Sequence, residues 1–240
     1  MKLSNSKVHI TYLFPREMST YGDRGNVLCM QKRLEWRGFN VEVQEHHPGD
    51  VLPRSTDLIF MGGGQDSGQR IIQQSMVDLA PWIRELAESG TPALMICGAY
   101  QLLGEYFLTQ GGDQIEGIGL FSAYTEAARD RLIGNIQVRT HEFGNLIGFE
   151  NHSGRTFLRD PRQALGKTRR GMGNNGSDRT EGIRYQNFIG TYLHGPILPK
   201  NPLLADWLIA RSLGVSYKEL APLEDTFIVP ARMVARYLKR

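Results

Sequence analysis

The 240 residues carry 28 Lys and Arg against 25 Asp and Glu, a formal net charge of +3, with 40% hydrophobic and 22% charged side chains. That suits a globular chain with a sizeable core, and the basic residues are too few and too scattered for a phosphate-binding nucleic-acid protein. A mean hydropathy of −0.34 and the lack of any apolar run near about 18 residues exclude a membrane-spanning helix, while Met1–Ile10 lacks the apolar stretch and cleavage site of a secretory signal, pointing to the cytoplasm.

In chain order, His9–Phe14 reads as a strand closed by Pro15, and Gly25–Arg37 as a helix ended by Gly38. Val41–Val43 is a short strand. Asp57–Met61 is a continuous apolar strand of the kind buried on both faces of a parallel sheet, and it runs into Gly62-Gly63-Gly64. The next helix is expected over Met76–Ser89 with Gly90 as its stop. Ala93–Ile96 is a second buried strand, and Cys97-Gly98 leads into a helical pattern over Tyr100–Tyr106. This alternation predicts an α/β fold with a mostly parallel central sheet flanked by helices, in one domain spanning residues 1–240. From Gly117 onward shorter strands are expected, among them Asn135–Val138 and Leu146–Phe149, with Asn175-Gly176 favouring a tight hairpin turn. Phe188–Leu193 is a strand ending at His194-Gly195-Pro196, Pro202–Leu213 is a helix, and the last thirty residues look helical. The basic runs Lys167–Arg170 and Arg232–Arg240 read as solvated surface.

Cys97 is the sharpest chemical signal. It stands between a buried strand and a helix, at the carboxyl edge of a parallel sheet where α/β ligands bind. The helix that follows aims its first amides and its positive dipole end at the sulfur, and Gly98 permits the tight turn of a nucleophile elbow. Cys29, amid Val27, Leu28 and Met30 in a helical pattern, reads as a packing residue. A thiol nucleophile needs a histidine as base, and His194, at another strand tip, is the candidate; His152 is its rival. No histidine and carboxylate spacing suits zinc, so no metal is assigned. Gly62–Gly64 reads either as an oxyanion hole or as a phosphate cradle; with Ser67 in place of a third glycine and Glu85 downstream it is an imperfect dinucleotide fingerprint.

Four blocks occur in order: Gly62-Gly-Gly-Gln-Asp66, Ile96-Cys-Gly-Ala-Tyr-Gln-Leu-Leu-Gly104, Gly148-Phe-Glu-Asn-His-Ser-Gly-Arg-Thr156 and Gly190-Thr-Tyr-Leu-His-Gly-Pro-Ile-Leu-Pro-Lys-Asn201. Together they resemble a class I glutamine amidotransferase of the cobyric acid synthase type, and within it the glutaminase subunits of lipid II isoglutaminyl synthases. The resemblance implies that Cys97 attacks the side-chain amide of L-glutamine and that His194 shuttles the protons. It implies an oxyanion held by the amides of Gly98 and one of the Gly62–Gly64 run, taken as Gly63, and a substrate carboxylate held by Arg131. It further implies a Mur-ligase-like partner, MurT, that binds ATP and amidates the D-glutamate of the lipid II stem peptide. This chain has no Gly-x-x-x-x-Gly-Lys-Ser/Thr motif of its own, so no cofactor is expected on it. Two departures stand out. Ala99 replaces the usual glycine, and Gly195-Pro196 occupies the place of the acid that normally follows the histidine by two. The orienting carboxylate is therefore expected from elsewhere in this chain or, as the favoured reading, from the partner. The alternatives are a glutaminase serving another, cobyric-acid-type synthase, a dinucleotide-binding module, and a catalytically dead scaffold.

Overall fold

The structure, a computed structural model, describes residues 7–237. The N-terminal residues read for a signal lie partly outside that range, as does the end of the Arg232–Arg240 run. Twelve strands and six α-helices are described: β1 Lys7–Leu13, α1 Arg24–Glu35, β2 Asn40–His46, β3 Leu58–Met61, α2 Asp66–Glu88, β4 Ala93–Ile96, α3 Gly98–Leu103, β5 Tyr106–Leu108, β6 Gln114–Glu116, β7 Ala123–Arg139, β8 Asn145–Leu158, β9 Gly166–Arg170, β10 Thr180–Glu181, β11 Ile183–Tyr185, β12 Phe188–Thr191, α4 Ile197–Lys200, α5 Pro202–Leu213 and α6 Ile228–Tyr237. Among the described residues, no helix is long and apolar enough to cross a membrane.

The central sheet runs β11-β12-β4-β3-β1-β2, and all its pairings are parallel except β11 with β12. Its inner strands are short and wholly buried: every residue of β3, β4 and β12 lies in the interior, so four residues suffice to cross it. α3 is buried all round and α5 nearly so, whereas α2 buries one apolar stripe. In α2 the stripe is Ile72, Met76, Leu79, Ile83 and Ala87, spaced by three and four residues. Burying each of the larger side chains contributes about 1.5–3 kcal/mol. Gly90, at φ 86°, ends α2 as expected.

A second sheet, ordered β10-β9-β7-β5-β6 with β8 on β7, departs from the short strands expected. β7 and β8 form one long antiparallel pair of 17 and 14 residues. Their middles are polar because one face alternates into water, which hides the strand from an apolar-run reading. Between Ala127 and Leu132 the register slips: five steps along β7 face two along β8. The surplus residues bulge from the ladder. Four other expectations are revised. α2 begins at Asp66 instead of Met76, its first turns being too polar to show a period. Asn175-Gly176 is not a two-residue hairpin but part of the longer loop from Gly171 to Arg179, tied down by the Glu150 carboxylate, which accepts the N–H groups of Met172 and Gly173. The C-terminal stretch is one short 3-10 turn at Tyr217–Glu219 followed by α6. Nor is Arg232 merely solvated, since its guanidinium donates to the carbonyls of Lys200 and Asn145.

Gly190, in β12, lies under the face of α3. A Cβ there would stand 2.5 Å from Tyr100 Cδ2 and 2.8 Å from Phe121 Cε2, both rings being buried. Gly190→Ala is expected to lower stability by about 1–3 kcal/mol, the usual cost of overpacking, measured by urea unfolding.

Candidate active site

The carboxyl ends of β12, β4, β3 and β1 open side by side, and each delivers one part of the site. β4 pairs with β12 in parallel, Ile96 opposite Thr191. Cys97 follows Ile96 directly and keeps the ladder, its N–H donating to the Thr191 carbonyl at 2.8 Å. It then turns the chain into α3 at φ 51°, ψ −102°, a left-handed conformation costly for a residue with a Cβ. Such strain at a strand-to-helix turn lifts the nucleophile clear of its neighbours. Cys97 is 9% exposed and lines a cleft of about 740 Å³, within the ~300–1,000 Å³ typical of small-molecule sites.

His194 lies three residues beyond the end of β12 and is anchored by a two-way backbone bridge to Phe149 of β8. Gly63 shows how close the two reactive side chains are. A Cβ on Gly63 would meet His194 Cε1 at 3.0 Å, Cys97 Cβ at 3.3 Å and Thr20 Oγ1 at 2.9 Å. Only a glycine fits there without moving its neighbours. The structure therefore brings Cys97, His194 and the glycine run together.

His152 takes a different place. It is buried, stacks flat on the Tyr192 ring at 3.7 Å, and its Nδ1 faces the Gly154 carbonyl at 2.8 Å. Burial pushes its pKa down to about 3, so the ring is neutral. Cys29 is half-buried on α1, and burial pushes its thiol up to about 12.

The residue that sequence reasoning missed is Asp23, in the loop between β1 and α1. Its carboxylate is fully buried, with Oδ1 3.9 Å from His194 Nδ1. The acid facing the ring thus belongs to this chain, where a partner's carboxylate was the favoured expectation. Asp23 Oδ2 accepts the Gly63 N–H at 2.6 Å. That bond engages the Gly63 amide, the one expected to face an oxyanion. Next in the run, Gly64 N would stand 3.0 Å from a Cβ on Gly98, so Gly64 lies directly against the elbow and lines the cleft. The Gly98 N–H, first in α3, has no partner within the helix.

Arg131 comes from the bulge of β7, whose residues Ala128, Arg129 and Arg131 all line the same cleft as Cys97. Asn151 of β8 holds it, accepting from Arg131 Nε and NH2 at 2.8 Å through its side-chain and main-chain oxygens. Asn151 in turn donates to the Tyr21 hydroxyl at 2.8 Å, and the Tyr21 ring packs edge-on against His194 with centroids 4.8 Å apart. The cleft thus has a thiol at its floor, an imidazole beside it and a guanidinium on its wall.

Residues 9–202 match the CobB/CobQ-like glutamine amidotransferase domain. The chain belongs to this family. It is similar to the GatD subunit of the glutamine-hydrolysing lipid II isoglutaminyl synthase of Staphylococcus aureus strain N315, with 38% identity over 85% of this chain and 83% of the relative. The corresponding Streptococcus pneumoniae subunit is also 38% identical, over 88% of this chain and 82% of its own. Among solved structures, PurLQS from Thermotoga maritima superposes with a TM-score of 0.60 at 18% identity, covering 87% of this chain and 99% of that one, which shows a shared fold. The family and these relatives make the chain a glutamine-hydrolysing enzyme subunit.

Burial alone would lower the pKa of His194, but its electrostatic coupling to Cys97 and to the Asp23 carboxylate outweighs that and raises it to about 9. A raised cation pKa adds stability that is complete below about pH 6.5 and is lost as pH climbs through about 9. NMR titration of His194 is expected to show a midpoint near 9 that falls in Cys97→Ala, where the coupling to the sulfur is gone.

Proposed function

We propose that this chain is the glutaminase subunit of a lipid II isoglutaminyl synthase, working in the cytoplasm. The observation that carries the chemistry is the strained Cys97 elbow with His194 against it, in a cleft that also holds Arg131. The relatives named for lipid II amidation, similar over more than four-fifths of either chain, support the choice of pathway.

In this reading Arg131 grips the α-carboxylate of L-glutamine, a charge-assisted contact that guanidinium geometry suits. The Cys97 sulfur attacks the carboxamide carbon, and the oxygen, now negative, turns toward the amides of Gly64 and Gly98. Each such donor is worth about 2.7–4 kcal/mol in comparable sites. His194, holding a proton, gives it to the departing nitrogen as the C–N bond breaks, leaving a thioester and free ammonia. The neutral imidazole then takes a proton from water, which attacks the thioester and releases glutamate and the thiolate. Ammonia passes to a Mur-ligase-like partner, MurT, which uses ATP to activate the α-carboxylate of D-glutamate in the lipid II stem peptide and forms D-isoglutamine. A dinucleotide has little support: the Gly62–Gly64 run is packed against Cys97, His194 and the Met18–Asp23 loop. A cobyric-acid-type synthase as the partner is the competing reading.

Tagged chain purified from its native cytoplasm is expected to bring down a muramyl-ligase homologue; a cobyric-acid-type synthase in its place overturns the assignment. Cys97→Ala is expected to abolish ammonia release with the circular dichroism spectrum unchanged. Arg131→Ala is expected to raise KM about 10- to 100-fold, hydrogen bonds to charged groups being worth ~1.5–3 kcal/mol, with a smaller change in kcat.

A further inference from the structure

We propose that Asp23 is the positioning residue for His194, and that the same carboxylate locks the glycine run on the oxyanion side of the nucleophile. The inference rests on the glutaminase reading and adds to it the in-chain source of the acid missing after His194.

Geometry favours Asp23 over other groups. The titratable side chains around the His194 ring are Cys97 at the start of α3, Asp23 and Tyr21 from the loop after β1, His152 from β8 and Glu181 from β10. His152 is neutral and bound to the Gly154 carbonyl. Glu181 directs Oε1 to the Thr191 hydroxyl and the Tyr192 N–H, both at 2.8 Å, where it fixes the strand leading to His194. Asp23 alone has a carboxylate oxygen within ion-pair range of the ring among the described residues, 3.9 Å from Nδ1, and that oxygen has no hydrogen-bond partner. Neither has either ring nitrogen. A buried carboxylate oxygen facing a buried, unpaired ring nitrogen is costly unless the two act as a pair. The separation is about 1 Å longer than a hydrogen bond, the loose spacing of catalytic contacts that tighten when substrate binds.

The second half of the proposal concerns Gly63. Both of its peptide groups are gripped by the same loop: the Thr20 N–H donates to the Gly63 carbonyl at 3.1 Å, and the Gly63 N–H donates to Asp23 Oδ2 at 2.6 Å. Two bonds on one glycine fix the orientation of the peptide that presents the Gly64 amide to the elbow. Asp23 therefore sets the base with one oxygen and the oxyanion loop with the other.

Three substitutions separate the roles. Asp23→Asn keeps an acceptor for the Gly63 N–H but removes the charge facing His194. It is expected to lower kcat about 100-fold or more, as removal of the equivalent charge does in serine hydrolases. KM should stay within about twofold, since the substrate contacts are intact. The NMR titration midpoint of His194 should move from about 9 toward 6.5. Asp23→Ala removes both interactions and should also lower the melting temperature, and Asp23→Glu should restore part of the rate. Wild-type kcat and an unmoved His194 titration in Asp23→Asn would overturn the proposal, as would full recovery of that variant when the partner is added, which would assign the acid to the partner. Should the wild-type complex release no ammonia from glutamine, the glutaminase reading fails, while the histidine titrations, which need no turnover, still decide the role of Asp23.

Discussion

Backbone pairing between β4 and β12, with Thr191 opposite Ile96, is the interaction on which the site depends. It sets Cys97 and His194 on neighbouring strand ends although they are almost a hundred residues apart in the chain. The parallel pairing of β3 with β4 and of β1 with β3 extends the same edge. Four successive carboxyl ends then contribute His194, Cys97, the glycine run and the loop bearing Asp23. Parallel strands make this possible because their ends share one direction, and loops leaving them share one side of the sheet. The strain at Cys97 is affordable only in such a setting, where a fully buried strand before it and a buried helix after it leave the residue no easier conformation.

Beneath this edge, a chain of buried hydrogen bonds ties the same parts together from within. Gln69 of α2 donates to Gln101 of α3, which donates to the Tyr192 hydroxyl, and that hydroxyl is bonded to Thr156 of β8. Gln101 sits one turn after Cys97, and Tyr192 two residues before His194. Moving the elbow relative to the base would break buried polar pairs, each costing about 1–3 kcal/mol. The second sheet takes part through Thr156, through the Phe149 bridge to His194 and through the bulge that carries Arg131. It is the wall of the site as well as a neighbour of the core.

Much of this was legible in the sequence wherever burial and chemistry coincide. β3 and β4 are uninterrupted apolar runs, because burial on both faces demands it, and they lead directly into Gly62–Gly64 and Cys97, while β12 leads through Tyr192 and Leu193 to His194. α5 was equally plain, bounded by Pro202 and Gly214. What escaped notice was set by tertiary geometry. Asp23 lies in Tyr21-Gly22-Asp23, an ordinary turn sequence, and only the fold carries it under the imidazole. The length of β7 and β8 was hidden by polar residues on their solvent face, and the bulge that aims Arg131 into the cleft is a register slip between two strands, invisible in either one. Gly63 illustrates the boundary between the two kinds of knowledge. That a glycine was needed there could be read from the run, but whether its N–H faces a substrate oxyanion or a neighbouring carboxylate depends on a residue forty positions away.

The burial of His194 bears on where an orienting acid can come from. The ring and the Asp23 carboxylate are both fully enclosed, with Tyr21 packed edge-on against the ring and the Phe149 bridge holding its backbone. A docking protein could bring a carboxylate to the ring by displacing Tyr21 or by entering through the cleft that Cys97 and Arg131 line. It would also have to leave its own charge dehydrated beside that of Asp23, and two like charges at close range in a dry site repel strongly. An acid already folded into the chain meets none of these costs, since its desolvation is offset once, on folding, by the Gly63 N–H and the cationic imidazole. A partner is better suited to act on the exposed rim of the same cleft. There Tyr21, half in solvent, links the His194 ring through Asn151 to Arg131, so that a contact at the surface bears on His194 and on Arg131 together.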